Sequence, residues 1–380
     1  MITLSIKNLL ADKIRFGVSV MGVAFSVFLI VFFLSLFRGF DDEIDNYIQS
    51  VGADLWVAQR GTRDFMGVSI LPEAMAAEIR DRGGTAITGV SSLLSRPTDI
   101  FVDGEPFNAQ AIGYDTSTGV GGPHVSRGKD SLAPGEVIID KVLAKVTGLG
   151  IGDPVSVGGE QFKVVGISSG GNFVFMQLVF MRMDDARAVL FPKGGPAAPQ
   201  LGEVELTNFI LIHLKGPGYA TSVKKAIEEN APFAQVYRRD EFVANTRDQL
   251  TSTLVPLLAM IVIVGFVVGT AVVGLTIYTL TIERVREYGI LKAVGFTNQD
   301  LFRVVIQQSI LAGVLGFGVG LLFVLGATQL IHELLPQFAT LLRVPDLVGV
   351  FGATMVMAAA ASYVPIRRLS RLDPVIVFNP

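Results

Sequence analysis

Four long uncharged stretches stand out in the pattern of hydrophobic and polar positions along the chain. They are Phe16–Phe37, Leu254–Leu280, Val304–Ile331 and Leu347–Val364. A helix needs about 20 apolar residues to cross the hydrocarbon core of a bilayer, so each stretch is long enough or nearly so. The first exceeds the apolar core of a cleaved signal peptide and is predicted to be a retained anchor. The pattern therefore predicts a membrane α-helical protein with four transmembrane helices, at 16–37, 254–280, 304–331 and 347–364.

Small residues inside these predicted spans mark where helices can pack closely. Gly265 and Gly269 form a GxxxG spacing in the second span, and Gly316 and Gly320 form another in the third. This spacing lets two helix backbones approach each other. Pro256 lies near the start of the second stretch, where a helix tolerates a missing backbone N–H. No charged residue lies inside a span, which argues against a proton- or sodium-driven carrier.

The long segment 38–253, between the first two spans, shows a different pattern. Alternating apolar residues on either side of the Gly158-Gly159 pair predict two strands joined by a tight turn. Proline and glycine bound several shorter periodic segments. The hairpin is predicted within 153–167, another strand within 203–215, helices at 72–82 and 219–229, and loops at 119–122 and 192–202. The segment is therefore predicted to be a mixed α+β domain inserted between transmembrane helices 1 and 2.

Lys and Arg residues near the ends of the spans predict the orientation of the chain. The segments 1–15, 281–303 and 365–380 carry three, four and three of these residues, whereas 332–346 carries one. Both termini and the loop 281–303 are therefore predicted to be cytoplasmic, and 38–253 and the short loop 332–346 to lie outside. Within 1–15, apolar residues recur at helical spacing, which predicts a short helix lying in the cytoplasmic interface.

Composition and missing motifs exclude several classes of protein. Only 17% of the residues are charged, below the about 25% of an ordinary globular chain. The chain has no cysteine and therefore no disulfide or thiolate site, and its net charge of −3 gives no reason to expect nucleic-acid binding. It contains no G-x-x-x-x-G-K-[ST], H-E-x-x-H or G-x-S-x-G motif, and its three histidines lie far apart. Neither a catalytic nor a metal site is predicted, and the chain is not expected to be an enzyme.

The predicted cytoplasmic loop carries a family resemblance. Residues 281–297 have the sequence TIERVREYGILKAVGFT, which resembles the ERxREIGILKAxGAS pattern of FtsX/MacB-type permeases, also called type VII ABC transporters. Tyr288 departs from the aliphatic residue usual there. The tail segment YVPIRRLSRLDP at 363–374 is similar to the closing pattern of that family. Four exterior segments also resemble it: 51–55, 135–140, 149–155 and 162–167. The resemblance covers nearly the whole chain, in the same order, and the layout is closest to the MacB/DevC-like group.

The resemblance implies a machine of several subunits in a bacterial inner membrane. Such permeases are expected to form homodimers bound to two ABC ATPase subunits, which hold ATP and Mg²⁺, so that this chain itself needs no cofactor. Membrane lipid is a further expected partner, and the layout leaves room for a periplasmic adaptor. Contact with the ATPase is predicted for Glu283, Arg284, Arg286, Glu287 and Lys292, with Gly295 ending the coupling helix. The matching residues of the cytoplasmic tail are Arg367, Arg368, Arg371 and Asp373.

Three functions are consistent with this resemblance. The leading one is export of a hydrophobic or amphipathic substrate by mechanotransmission, in which ATP-driven motion passes through the first two spans to the exterior domain. A lipoprotein-releasing permease is the second. The third is a signalling protein that transmits the motion to an extracellular hydrolase or a sensor kinase and transports nothing.

Overall fold

The computed structural model describes residues 13–169, 172–173, 176–190, 205–283, 285–295, 297–335, 338 and 340–370. The chain divides into two compact units. One, here called the membrane unit, comprises 1–38, 254–333 and 340–380. The other, here called the exterior unit, comprises 39–253 and 334–339.

Ten α-helices and thirteen strands lie in the described part of the chain. The helices are α1 (Lys13–Ser50), α2 (Ala74–Arg82), α3 (Lys141–Thr147), α4 (Met183–Leu190), α5 (Ala220–Asn230), α6 (Arg239–Glu283), α7 (Val285–Ala293), α8 (Asn298–Leu334), α9 (Val344–Ala361) and α10 (Tyr363–Ser370). The strands are β1 (Leu55–Gln59), β2 (Leu71–Pro72), β3 (Ile87–Val102), β4 (Glu105–Tyr114), β5 (Val125–Gly128), β6 (Glu136–Asp140), β7 (Pro154–Val157), β8 (Glu160–Ser168), β9 (Asn172–Phe173), β10 (Met176–Arg182), β11 (Leu206–Thr207), β12 (Phe209–Leu214) and β13 (Ala234–Arg238).

Four helical segments of the described chain are long and apolar enough to cross a membrane. They are Lys13–Asp41, Arg239–Glu283, Asn298–Leu334 and Val344–Arg367. The predicted fold class, four transmembrane helices with an α+β domain between the first two, is thereby confirmed. All four segments are longer than the apolar stretches, because polar residues continue a helix once an apolar core has formed it. Pro256 consequently lies inside the 45-residue α6, not at a helix start, and that expectation was wrong.

The predicted limits of the other membrane-unit segments shift for the same reason. Residues 13–15 belong to α1 and not to a separate interfacial helix, and 1–12 lie outside the described residues. The predicted cytoplasmic loop 281–303 shares its first residues with α6 and its last with α8. The short outer loop 332–346 likewise begins within α8 and ends within α9.

Glycines line the helix contacts of the membrane unit. A Cβ placed on Gly316 would lie 2.5 Å from Val23 Cβ, and one on Gly320 would lie 2.7 Å from the Ala24 carbonyl oxygen, so both α8 glycines face α1. On α6, the Cβ of Gly269 would meet Met357 of α9 and Ser26 of α1, and that of Gly265 would lie 3.4 Å from Ile30. The four glycines singled out from the sequence thus lie where these helices approach closely.

An ion pair joins two spans at one end of the membrane unit. The Arg38 guanidinium donates to both oxygens of Asp346, at 2.9 and 3.0 Å. The Leu341 amide, in the connection between α8 and α9, also donates to the Ser35 carbonyl of α1 at 2.9 Å. A two-point Arg–carboxylate contact fixes orientation as well as distance. α1 is thus held by polar contacts to Leu341 and to Asp346 near the start of α9.

The exterior unit is built on one eleven-stranded sheet, with the order β13-β1-β12-β3-β4-β10-β6-β8-β5. In addition, β7 pairs with β3 and β8, and β9 pairs with β10. The predicted hairpin is confirmed, since β7 and β8 pair antiparallel across Gly158 and Gly159. The predicted helices within 72–82 and 219–229 correspond to α2 and α5, and the strand within 203–215 to β11 and β12. The predicted loop 192–202 lies outside the described residues.

One end of this sheet has the strand order of a split βαβ fold. Strands β1, β3, β12 and β13 are arranged as β13-β1-β12-β3, with α2 following β1 and α5 following β12. Alternation along β1 explains why both of its faces are buried: Leu55 and Val57 pack with α2 and α5, while Trp56 packs in an aromatic core on the opposite face. In that core Trp56 stacks on Phe242 of α6 at 4.7 Å between ring centroids.

Candidate coupling site

The segment after the second span contains a short helix that ends at a glycine. α6 ends at Glu283 and α7 spans Val285–Ala293. Gly295 follows directly, with φ +107°, and its amide donates to the Lys292 carbonyl at 3.0 Å. A residue with a Cβ is strained in that left-handed conformation, which makes glycine the favoured residue at this bend.

The next helix begins with a reciprocal cap. Thr297 precedes α8, and the Asp300 amide donates to the Thr297 hydroxyl at 3.3 Å. In return, the Thr297 amide and hydroxyl both donate to an Asp300 carboxylate oxygen, at 3.1 and 2.6 Å. This is the geometry of a capping box, which satisfies backbone donors at a helix start. The turn at Gly295 and this cap therefore separate α7 from α8.

α7 presents a mixed apolar and charged face. Ile290 and Val294 have 48% and 76% of their surface exposed, and Arg286 is exposed as well. These three residues are spaced by four, and the Val294 amide donates to the Ile290 carbonyl at 3.0 Å, so they follow one helical face. Exposed aliphatic side chains on a short charged helix are typical of a helix that docks in a groove of a partner. The apolar positions were not singled out from the sequence, although their spacing by four was readable there.

The structure assigns different surroundings to the predicted contact residues. Glu287 is exposed and Lys292 half-buried. Glu283 forms an ion pair with Arg15 of α1, so it joins the ends of two spans of the same chain. Arg15 was not among the predicted site residues, because nothing local indicates a partner this distant in sequence. Arg284 lies outside the described residues.

The tail has a short helix of its own. α10 (Tyr363–Ser370) follows α9 after a bend at Ser362. Arg367 is exposed there. The side chain of Arg368 is not described, and Arg371 and Asp373 lie outside the described residues. The structure thus positions only one of the four tail residues as a surface cation.

The histidines do not come together. His124 Nδ1 lies 2.8 Å from the Ser169 hydroxyl, and His213 Nδ1 lies 2.9 Å from a carboxylate oxygen of Asp54. In the part of the chain that the structure describes, no group of three or more His, Asp or Glu side chains could hold a metal ion.

The exterior unit has an open groove between α2 and α5. Its volume is about 270 Å³. Ile79, Val223 and Ile227 give it an apolar lining, and Glu78, Arg82, Ser222 and Asn230 are its polar members. Ligand sites in proteins are commonly apolar clefts with a few polar groups. The groove has the chemistry to hold an apolar group.

The fold and the short helix between spans define a class: a multi-span membrane permease with a large inserted domain. Comparison with known families makes the assignment more specific. The MacB-like periplasmic core domain matches residues 16–230 and the FtsX-like permease C-terminal domain matches 259–374. The chain therefore belongs to the MacB/FtsX-type family of ABC transporter permeases.

Individual known proteins are also similar to this chain. The chain is 27% identical over 233 residues to the macrolide export ATP-binding/permease protein MacB of Acinetobacter baylyi, covering 59% of this chain and 34% of that protein. It thus spans about a third of that relative's length. An uncharacterized ABC transporter permease of Mycobacterium tuberculosis (Rv0072) is 22% identical over 364 residues, which cover 94% of this chain and 93% of the relative. The periplasmic region of MacB from Actinobacillus actinomycetemcomitans aligns at a TM-score of 0.38 and 15% identity, over 51% of this chain and 92% of that one.

Proposed function

We propose that this chain is the permease subunit of an exporter driven by a separate ABC ATPase, with α7 as the docking element. The observation that carries the proposal is the exposed face that Arg286, Ile290 and Val294 form just before the turn at Gly295. Apolar groups supply most of the binding free energy of such a contact, and the surrounding charges supply its specificity. Two ATPase copies, each holding ATP and Mg²⁺, would act on a permease homodimer.

The proposed orientation puts both termini and α7 in the cytoplasm of a bacterial cell and the exterior unit across the inner membrane. The excess of Lys and Arg in 1–15, 281–303 and 365–380 supports it. α1 and α6 each contribute residues to both units, because the boundaries fall after residues 38 and 253. Movement of α7 against the ATPase would therefore be passed along α6 to the exterior unit.

The proposed substrate is a hydrophobic or amphipathic molecule, expelled from the outer face of the membrane. The relative from Acinetobacter baylyi is named for macrolide export, which supports the export direction. The apolar groove between α2 and α5 supports the substrate class. The spans contain no charged residue in their apolar stretches, which favours mechanical coupling over an ion pathway through the bundle.

The double change Arg284→Glu with Arg286→Glu should abolish co-purification of the ATPase. Two reversed charges in the predicted ATPase contact would repel the partner surface that the arginines are expected to bind, and like-charge juxtaposition at an interface costs several kcal/mol. The wild-type chain and the adjacent ATPase, co-expressed and reconstituted in nanodiscs, should give a complex that hydrolyses ATP with two copies of each subunit. The subunit ratio of the purified complex tests the expected two copies of each subunit, and its ATPase activity tests whether the complex is functional.

A matched control reverses two exposed charges of the exterior unit, Lys225→Glu with Arg238→Glu. This variant should retain the ATPase, and both variants should elute as monodisperse protein. Retention of the ATPase by the 284/286 variant would remove α7 as the docking element. Absence of any complex with the wild-type chain would contradict the proposed function itself.

A further inference from the structure

A single carboxylate joins three elements of the exterior unit. Asp54 lies between the end of α1 and the start of β1. Its Oδ1 accepts from Arg239 Nη2 at 2.7 Å, and its Oδ2 accepts from the Leu214 amide at 2.9 Å and lies 2.9 Å from His213 Nδ1. Arg239 is the first residue of α6, and Leu214 is the last of β12. Both carboxylate oxygens are thus used, each by a different element.

The main chain repeats the same connections. The Asp54 amide donates to the Ile212 carbonyl at 2.8 Å, and the Asp54 carbonyl accepts from the Arg239 amide at 3.0 Å. Arg239 Nε donates in turn to the Ala53 carbonyl at 2.7 Å. Charge-assisted contacts of this kind are about twice as strong as neutral hydrogen bonds. Here they also act at fixed angles, because the guanidinium is a rigid planar group.

The contacts of Asp54 lie where α1 and α6 meet the sheet of the exterior unit. α1 and α6 carry the chain into and out of the long exterior segment, and Asp54 holds the first residue of α6 against the strand that follows α1. Farther along the same two helices, Arg247 Nε lies 2.8 Å from Asp41 Oδ1. The part of α1 after residue 39 and the first turns of α6 are therefore joined to each other, and at Asp54 they are joined to the sheet.

We propose that Asp54 is the positioning residue that makes the exterior sheet follow the movement of α1 and α6. This inference rests on the proposed function, in which the ATPase moves these helices. With the carboxylate in place, the start of α6 and the strands β1 and β12 move as one body. Without it, Arg239 loses its charged partner, the main-chain contacts alone hold the helix start to the sheet, and the sheet lags behind when the helix turns.

The test compares Asp54→Asn with Asp140→Asn in the complex with the ATPase. The asparagine side chain keeps the shape of the aspartate but carries an NH₂ group in place of one oxygen. This NH₂ must point toward either the Arg239 guanidinium or the Leu214 amide, both of which are donors, so one hydrogen bond is lost. Asp140, the last residue of β6, is a fully buried aspartate whose carboxylate accepts from α3 and β10 and from neither α1 nor α6. The same chemical change there therefore controls for loss of stability.

The readout is the distance between the two copies of the exterior unit. The chain has no cysteine, so Lys225→Cys, on exposed α5, puts one spin label on each copy. In the wild-type background the label-to-label distance should shift between the nucleotide-free and vanadate-trapped complexes. With Asp54→Asn the shift should be lost while ATP hydrolysis continues, and Arg239→Gln should do the same. With Asp140→Asn the shift should persist.

The outcomes separate the inference from the function on which it rests. If the label-to-label distance in the wild-type complex is the same without nucleotide and after vanadate trapping, the proposed function is contradicted. A wild-type shift that Asp54→Asn leaves intact would overturn the role of Asp54 alone. The role would also be overturned if Asp140→Asn abolished the shift equally, because the effect would then follow from lost stability and not from the junction.

Discussion

Gly316→Leu should prevent the membrane unit from packing, whereas Gly318→Leu, two residues along the same helix, should be tolerated. At Gly316 even a Cβ would lie 2.5 Å from both Cβ and Cγ1 of Val23 and 3.0 Å from the Val20 carbonyl oxygen. Contacts this short require the α1 backbone to move, and backbone cannot yield as a flexible side chain can. At Gly318 nothing lies within 4 Å of that position.

The expected loss of stability in Gly316→Leu follows from the cost of overpacking. Extra methylenes in a well-packed site cost about 1–3 kcal/mol, and more where backbone must shift. Leucine adds several carbon atoms at a site where one is already too many. Because lipid is as apolar as the helices, close packing is a main source of helix association in a bilayer, and its loss has no hydrophobic compensation. Gly320→Leu, against Ala24 and Val27, should behave in the same way.

The measurement is the yield of monodisperse protein after extraction in mild detergent, followed by its thermal unfolding. Gly316→Leu and Gly320→Leu should give little or no such protein, and Gly316→Ala an intermediate loss of stability. Gly318→Leu should match the wild type. Equal behaviour of the 316 and 318 variants would show that α8 does not pack on α1 through its glycine face.

Asp140→Ala should destabilise the exterior unit more than any surface substitution. The Asp140 side chain caps α3: its Oδ1 accepts from the amides of Val142 and Leu143, at 2.6 and 2.8 Å. Its Oδ2 accepts from the Leu178 amide of β10 at 2.6 Å. Loss of a helix cap costs about 0.5–2 kcal/mol, and a buried donor left unsatisfied costs about 1–3 kcal/mol.

A total loss of about 3 kcal/mol is therefore expected for Asp140→Ala. Hydrogen exchange of the full-length protein measures it, through the protection of amides in β6, α3 and β10. The matched substitution is Asp153→Ala, which removes an exposed aspartate that accepts one amide, that of Gly150 at 2.8 Å. Its effect should be well under half that at Asp140. Similar losses of protection in the two variants would show that the buried Asp140 cap stabilises the unit no more than an exposed aspartate does.

The same residue gives this unit a pH dependence of known sign. Burial raises the pKa of Asp140 to about 7, although the amides of Leu143, Leu178 and Val142 act in the opposite direction. The pKa of an aspartate in an unfolded chain is about 4, so between these values the folded state binds the proton more tightly. The contribution of Asp140 to stability is therefore largest at low pH, falls as pH rises from about 4 to 7, and is constant above that. Asp140→Asn should remove this slope from the pH profile of unfolding.

At the coupling site, the local sequence pattern predicted the helix but not its contacts. The sequence pattern alone predicted a charged helix between the second and third spans and a bend at Gly295, because charge spacing and glycine are local features. It did not predict that Glu283 would pair with Arg15, or that Ile290 and Val294 would be exposed beside Arg286. Which side chains of a helix remain uncovered depends on what packs against the other side, and that is decided by residues far away in the chain.

The sequence by itself determined the class of this protein, its four spans and the mixed exterior domain, as well as the hairpin at Gly158-Gly159. Each of these follows from a local requirement: enough apolar residues to cross a bilayer, alternation along a strand, or a backbone that turns tightly. Only the tertiary structure decided that Gly316 faces Val23, that Leu178 of β10 donates to the Asp140 carboxylate, and that Asp54 holds Arg239 and Leu214 together. These partners lie tens to hundreds of residues apart, and their meeting depends on the packing of the whole unit, which no short-range pattern encodes.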